Sequence, residues 1–239
     1  MAKERLKIVQ AGSLWMAVQY TAIRSPDPGQ RREAKAMIST PARESLNAKL
    51  SWQRLMLILA ANFHPRDLVV TLTYRDGELP RHREEAMKRI KYFIRLLRKS
   101  RTQRGKPFHY VYTTEGYHSG GRLHHHLIVN AVGSDYEEIR QLWSRNGDNV
   151  DYEPFGQDGP ERWGKYLTKE PRVQGRRHVG DRTWSASRNM VKPQRHSELV
   201  TAGTLLAAPP GSFVLDRAEC ENCYGRFSYI MARLPENNN

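Results

Sequence analysis

Two imidazoles placed two residues apart on a β-strand can share one metal ion, and the segment Arg122-Leu-His-His-His-Leu-Ile-Val-Asn130 offers such a pair. Leu127, Ile128 and Val129 form the apolar, partly β-branched run of a buried strand, and successive strand side chains point to opposite faces. His124 and His126 therefore share a face, roughly 7 Å apart along a strand rising about 3.3 Å per residue, while His125 points the other way. The same spacing also suits a surface histidine cluster or two satisfied core histidines, so the neighbours must decide. A second pair with reactive potential lies in Trp163-Gly-Lys-Tyr-Leu-Thr-Lys169, where Tyr166 and Lys169 would face the same way on a helix. A phenol with a pKa near 10 is a poor nucleophile at neutral pH, and an adjacent cation or metal favours its phenolate. Taken alone, Tyr-x-x-Lys also recurs in many helices as a packing or surface pair.

The elements that must position these groups can be read in order. Asp67 to Tyr74, dense in β-branched residues and closed by Asp76-Gly77, predicts a central strand. Phe108 to Glu115 predicts a second strand, and the connection Gly116 to Gly121 joins it to the histidine strand as a hairpin. Such a hairpin brings Glu115, at the end of one strand, back toward His124 near the start of the next. Amphipathic periodicity predicts helices from Pro41 to about Asn62 and from Arg81 to Lys99, the latter with Ala86, Ile90, Phe93 and Leu97 inward. Its other face carries Lys88, Lys91, Arg95, Arg98 and Lys99, and Arg101 and Arg104 extend that charge into the following loop. Further helices are predicted over Asp135 to Arg145, with Tyr136, Ile139, Leu142 and Trp143 inward, and over Glu161 to Glu170, begun at Asp158-Gly-Pro160 and stopped by Pro171. Toward the ends the reading is sparser: one strand from Leu14 to Ile23, a turn at Ser25-Pro-Asp-Pro-Gly29, and a basic loop region from Arg172 to Arg195. Leu199 to Ala208 reads as helix or strand, and Phe227 to Leu234 as a last strand.

The whole chain restricts the function classes. With 39 Lys and Arg against 25 Asp and Glu in 239 residues, a net charge of +14 favours a polyanionic partner, nucleic acid first. The longest apolar run, Leu55 to Ala61, is far shorter than the roughly 18 residues of a membrane span, no basic amphipathic helix with a broad apolar face appears, and no secretory leader is evident. The expectation is a cytoplasmic protein with no membrane partner. Cys220-Glu-Asn-Cys223 has half the spacing of a zinc knuckle without a second pair, with His196 the only suggested further ligand, and is read as two reduced cysteines in a turn.

In combination, the Thr71-Leu-Thr73 strand, the His-His-His strand with a glutamate nine positions upstream, and the Tyr-x-x-Lys segment resemble the HUH endonuclease superfamily. Within it the chain is most similar to single-tyrosine rolling-circle replication initiators, the replication-associated proteins of bacteria and phages. The motifs run from about Leu68 to Lys169, with Ser187-Arg-Asn189 and Lys192-Pro193 extending the pattern. The resemblance implies an α+β fold, a central antiparallel sheet of four or five strands with flanking helices mainly on one face, ferredoxin-like as in HUH endonucleases. It also implies that the histidine strand is central and that the Tyr166 helix lies across the sheet. By the same resemblance Glu115, His124 and His126 are metal ligands, Tyr166 is the nucleophile and Lys169 its helper. His125 departs from the motif, which has a bulky hydrophobic residue there, and is expected to pack as a neutral ring or to offer an alternative ligand; His109 and His118 remain candidates near the site.

The implied activity is nicking and joining of single-stranded DNA through a 5′-phosphotyrosine, initiating rolling-circle replication of a phage or plasmid. The same chemistry would serve a single-tyrosine transposase or relaxase, and a non-catalytic basic nucleic-acid-binding protein is the contrasting class. A divalent metal, Mn or Mg, is the expected cofactor. The expected partners are single-stranded DNA or an origin hairpin together with a host helicase and polymerase. Tyr110, Tyr112, Trp163 and Trp184 offer stacking surfaces, although alternating aromatics equally suit a sheet core. The domain organisation expected is an N-terminal extension over 1–41, a catalytic domain over 42–171, and over 172–239 a basic loop region and C-terminal extension packing on that domain.

Overall fold

The computed structural model describes residues 3–21, 41–116, 122–169, 183–222 and 225–235. The turn read at 25–29, residues 117–121 with His118, Pro171, the basic residues 172–182, Cys223 and the Asn-rich tail lie outside them. Two compact units are present, Met1–Lys35 with Val191–Asn239, and Ala36–Met190. The segments read as N- and C-terminal extensions thus build one unit together.

In that unit β1 (Lys3–Ala11) and β2 (Leu14–Thr21) form a hairpin turned at Gly12, whose φ of 54° a side chain would oppose. With β8 (Gln194–Thr201), β9 (Phe213–Asn222) and β10 (Gly225–Arg233) they make an antiparallel sheet in the order β8-β1-β2-β10-β9. Trp15, Ala17, Ile230 and Ala232 pack one face of it against Leu206. Two of these strands were not anticipated, because Lys3, Glu4, Arg5 and Lys7 in β1 and Asp216, Arg217, Glu219 and Glu221 in β9 interrupt the apolar alternation that announces a strand. Cys220 sits in β9 rather than in a turn and is exposed. His196 lies on β8, at the opposite edge of the sheet, about four strand spacings of 4.8 Å away, so the two cannot share an ion.

The second unit has the α+β architecture expected. Its elements are α1 (Pro41–Asn62), β3 (Leu68–Thr73), α2 (Arg83–Gln103), β4 (Tyr110–Glu115), β5 (His124–Val129), α3 (Asp135–Trp143), β6 (Val150–Pro154), α4 (Gly159–Tyr166) and β7 (Ser185–Ala186). The sheet is antiparallel in the order β6-β3-β5-β4-β7, with the histidine strand β5 at its centre. From β3 to β6 the elements run β-α-β-β-α-β in the spatial order fourth, first, third, second, a ferredoxin-like arrangement.

Helices cover both faces of this sheet rather than mainly one. Leu68, Val70, Leu72, Tyr112, Leu127 and Val129 bury against Ala86, Ile90, Phe93 and Leu97 of α2 and Ile139 and Trp143 of α3. Val69, Val111 and Ile128, pointing the other way, pack with Leu55 and Leu59 of α1 and Trp163 and Leu167 near α4. Burial on both faces explains the unbroken apolar runs Leu68-Val-Val70 and Leu127-Ile-Val129. Arg101, read as loop charge, is instead a fully buried residue of α2's last turn, paired with the carboxylate of Asp135 and donating to the carbonyls of Pro107 at 3.3 Å and Asn130 at 3.0 Å. Tyr136 is 56% exposed rather than inward.

Candidate active site

The site lies on the α1/α4 face of the central strands, where the apolar packing gives way to polar rows. Cross-strand register makes the first row Val69, Ile128 and Val111, all buried; the next is Thr71, His126 and Thr113, and the last Thr73, His124 and Glu115. Strand alternation alone puts His124 and His126 on this face. The hairpin register then sets Glu115 directly opposite His124, and opposite residues of an antiparallel pair have Cβ atoms about 4.5–5.5 Å apart.

The three side chains converge. Oε2 of Glu115 is 3.7 Å from Nε2 of His126 and 3.9 Å from Nε2 of His124, and the two Nε2 atoms are 3.1 Å apart. Ligands held about 2.1 Å from one ion in cis or tetrahedral positions are separated by about 3.0–3.4 Å, so the cluster is within reach of that geometry. Both rings are oriented from behind. Nδ1 of His124 lies 2.8 Å from the carbonyl of Arg122, which can only accept, so in the neutral ring Nδ1 holds the proton and Nε2 the lone pair. Nδ1 of His126 lies 3.1 Å from Oγ1 of Thr71, the same arrangement with a hydroxyl in place of a carbonyl. Gly116 is part of the build: its φ is 91°, and a Cβ there would stand 2.3 Å from the oxygen of that Arg122 carbonyl. Burial pushes the Glu115 carboxyl up, but attraction to His126, then to Lys169 and His124, outweighs it and holds the group below the ordinary carboxylate range. A ligand carboxylate must be ionised, and this one is. Its second oxygen, Oε1, is buried with no hydrogen-bond partner among the described residues. An orphaned anionic oxygen beside two imidazole lone pairs fits a divalent cation, and Glu115, His124 and His126 could hold one.

Tyr166 and Lys169 meet this cluster by a route that differs from the helical one read in the sequence. α4 ends at Tyr166, because the Thr168 hydroxyl donates to the Gly164 carbonyl at 2.8 Å and the chain turns there, Lys169 N–H donating to the Tyr166 carbonyl at 3.1 Å. The turn still brings the pair together: Lys169 Nζ lies 3.5 Å from the centroid of the Tyr166 ring and 3.6 Å from Oε2 of Glu115. The Tyr166 ring stands edge-on to His126, centroids 5.0 Å apart, and is backed by Trp163 at 5.5 Å. Gly164 permits the close approach of α4 to α1, since a Cβ there would lie 3.2 Å from Cβ of Met56.

His125 belongs to the opposite face. It is fully buried, edge-on to Tyr74 and Trp143, with Nε2 2.7 Å from the Tyr74 hydroxyl and Nδ1 2.8 Å from Oγ1 of Thr114. Thr114 spends its own proton on the sulfur of Met87 at 3.5 Å, so it accepts from Nδ1–H and Nε2 accepts from Tyr74. Burial, reinforced by the charges of His124, His126 and Arg83, lowers its pKa to about 3, so the ring is neutral. His109 lies just beyond the far end of β4 from Glu115. Of the aromatics suggested for stacking, Tyr112 and Trp163 are buried. Sequence reading missed Thr71, the Arg122 carbonyl, Gly116 and Thr114 as supports; only the Thr71-Leu-Thr73 alternation, two polar residues on the His face of a strand otherwise apolar, gave a signal.

The fold and the cluster define an α+β domain with a candidate metal centre on its central sheet. Residues 67–171 match the family model for replication-associated proteins of the ORF2 type, a match consistent with a replication initiator. That span contains β3 through α4 and so all five residues just described. No curated protein and no solved structure matches the chain. No helix among the described residues is long and apolar enough to cross a membrane.

Proposed function

We propose that this protein is a single-tyrosine DNA nicking and joining enzyme of the HUH type, which initiates rolling-circle replication of a phage or plasmid. The observation that carries the proposal is the convergence of Glu115, His124 and His126 with Tyr166 and Lys169 on one sheet face, inside the replication-associated match. A divalent ion, Mn or Mg, supplies charge stabilisation at the scissile phosphate when bound by the two imidazoles and the carboxylate. The residues divide the remaining work. His126 and Trp163 hold the Tyr166 ring from two sides, so that the phenol approaches the phosphate in one orientation. Lys169, against the ring and the Glu115 carboxylate, favours the phenolate and draws the backbone phosphate inward. The phenolic oxygen forms a bond to phosphorus as the bond from phosphorus to the 3′-oxygen breaks; the phenolic proton leaves to water and the departing oxygen gains one. One phosphoester replaces another, so the step reverses to rejoin strands without a nucleotide cofactor, and the free 3′-hydroxyl can serve a host polymerase working with a host helicase. The substrate is single-stranded DNA or the open strand of an origin hairpin, because a phosphate in a continuous duplex is hard to bring to a sheet face.

The test is covalent capture. Wild-type protein with Mn and a labelled single-stranded origin oligonucleotide should give a denaturant-resistant adduct, and Tyr166→Phe should give none while binding the same DNA. Adduct formation by Tyr166→Phe would refute the nucleophile, and cleavage by wild type without adduct would identify a hydrolytic nuclease instead.

A further inference from the structure

The sheet built from the chain's two ends sorts its charges by face. Lys3, Arg5 and Lys7 of β1 fall on one side, and Glu4, Glu198, Glu219 and Glu221 fall on the other, as strand alternation and register require. On the basic side a single row crosses all five strands: Leu199, Arg5, Tyr20, Phe227 and Cys220. Phe227 is 39% exposed and Leu199 49%, Lys7 is exposed, and Nζ of Lys7 stands 5.1 Å from the centroid of the Tyr20 ring. Arg5 reaches across to the hydroxyl of Ser197 at 3.4 Å, so its guanidinium is held along the surface. The other end of this face, at Ala11, Leu14 and Met231, is buried, and Asp216, its only acid among the described residues, pairs opposite Met231 there.

An exposed phenylalanine beside a tyrosine, flanked by three cations with no acid among them, is poorly explained by core packing. The ligand it suits is anionic and has flat apolar faces. A duplex presents phosphates but hides its base faces, whereas a single strand presents both. We propose that this face binds single-stranded DNA, with bases stacked on Phe227 and Tyr20 and phosphates met by Lys3, Arg5 and Lys7. The inference goes beyond the nicking chemistry and uses none of its residues; only the choice of DNA over RNA rests on the replication reading.

Cross-linking tests it directly. Full-length protein in EDTA is irradiated with a 5-iodouracil-substituted oligo-dT, and the adducts are mapped by mass spectrometry; they should include the peptides bearing Tyr20 or Phe227. The double change Tyr20→Leu and Phe227→Leu keeps apolar bulk but removes both π faces, and should weaken oligo-dT binding about tenfold. Lys7→Glu should weaken binding and make its dependence on log salt shallower by about one. Both variants should still form the covalent origin adduct at saturating DNA. If Tyr166 proves not to be a nucleophile while these cross-links persist, the surface stands and the nicking proposal falls. Cross-links confined to other residues, wild-type affinity in the double variant, equal competition by duplex, or stronger competition by oligo-U would each overturn the proposal. Should the double variant unfold, Lys7→Glu decides alone, since that side chain is exposed.

Discussion

Replacing Thr71 by valine removes one hydroxyl and keeps the branched shape of the side chain. That hydroxyl lies 3.1 Å from Nδ1 of His126, whose ring is only 5% exposed. With the hydroxyl present, Nδ1–H has an acceptor and the lone pair stays on Nε2, toward Glu115 and His124. Without it Nδ1–H is buried against a methyl group, and the ring gains by moving its proton to Nε2, where it opposes a cation. A net hydrogen bond is worth about 0.5–1.5 kcal/mol, and loss of a partner behind a metal-bound imidazole weakens metal affinity about 10- to 100-fold. Because the bond lost here is between neutral groups, and the Glu115 and His124 donors are untouched, the lower end is expected, about tenfold. Calorimetric titration with Mn at neutral pH measures it, with metal-free melting temperatures controlling for stability. Thr71→Ser keeps the hydroxyl and should bind Mn as wild type does. Undiminished Mn affinity in Thr71→Val would refute the reasoning that this hydroxyl sets the tautomer.

Other outcomes follow from the same geometry. His124→Ala and His126→Ala should each abolish Mn-dependent cleavage, whereas His125→Leu, on the opposite face, should retain it; equal loss in all three would undo the argument from strand faces. Arg101→Met should cost about 3–5 kcal/mol in urea unfolding, because it strands a buried Asp135 carboxylate, and adding Asp135→Leu should recover much of that loss. The His125 ring makes stability acid-sensitive. In the unfolded chain an imidazole gains its proton as pH falls through about 6.5, in the folded chain only near 3, so its contribution is full above that window and is lost within it by up to about 1.4 kcal/mol per pH unit. Metal-free unfolding of His125→Leu should show a flatter acid limb than wild type, and parallel curves would contradict the neutral buried ring.

Much of the second unit was legible because its signals are local. The stripe Ala86, Ile90, Phe93, Leu97 is buried as its spacing requires, and the runs at β3 and β5 are strands. Where the sequence misled, a long-range contact overrode a local habit. Arg101 reads as solvent-facing charge until Asp135 and two carbonyls are supplied from outside its helix. β1 reads as a basic tail until β2 and β8 satisfy its backbone on both sides.

What the amino-acid order determined by itself is the pairing of His124 with His126 and the exclusion of His125, because alternation along a strand is a property of the backbone and needs no partner. That Glu115 is the group that meets them, that Lys169 reaches both Glu115 and Tyr166 from a turn rather than a helix, and that Thr71 stands behind His126 were decided only by the tertiary structure. Each depends on hairpin register, on where α4 ends, or on which strand lies beside β5. Such contacts join residues far apart in the chain, and they come into being only when the sheet closes and the helices pack on it.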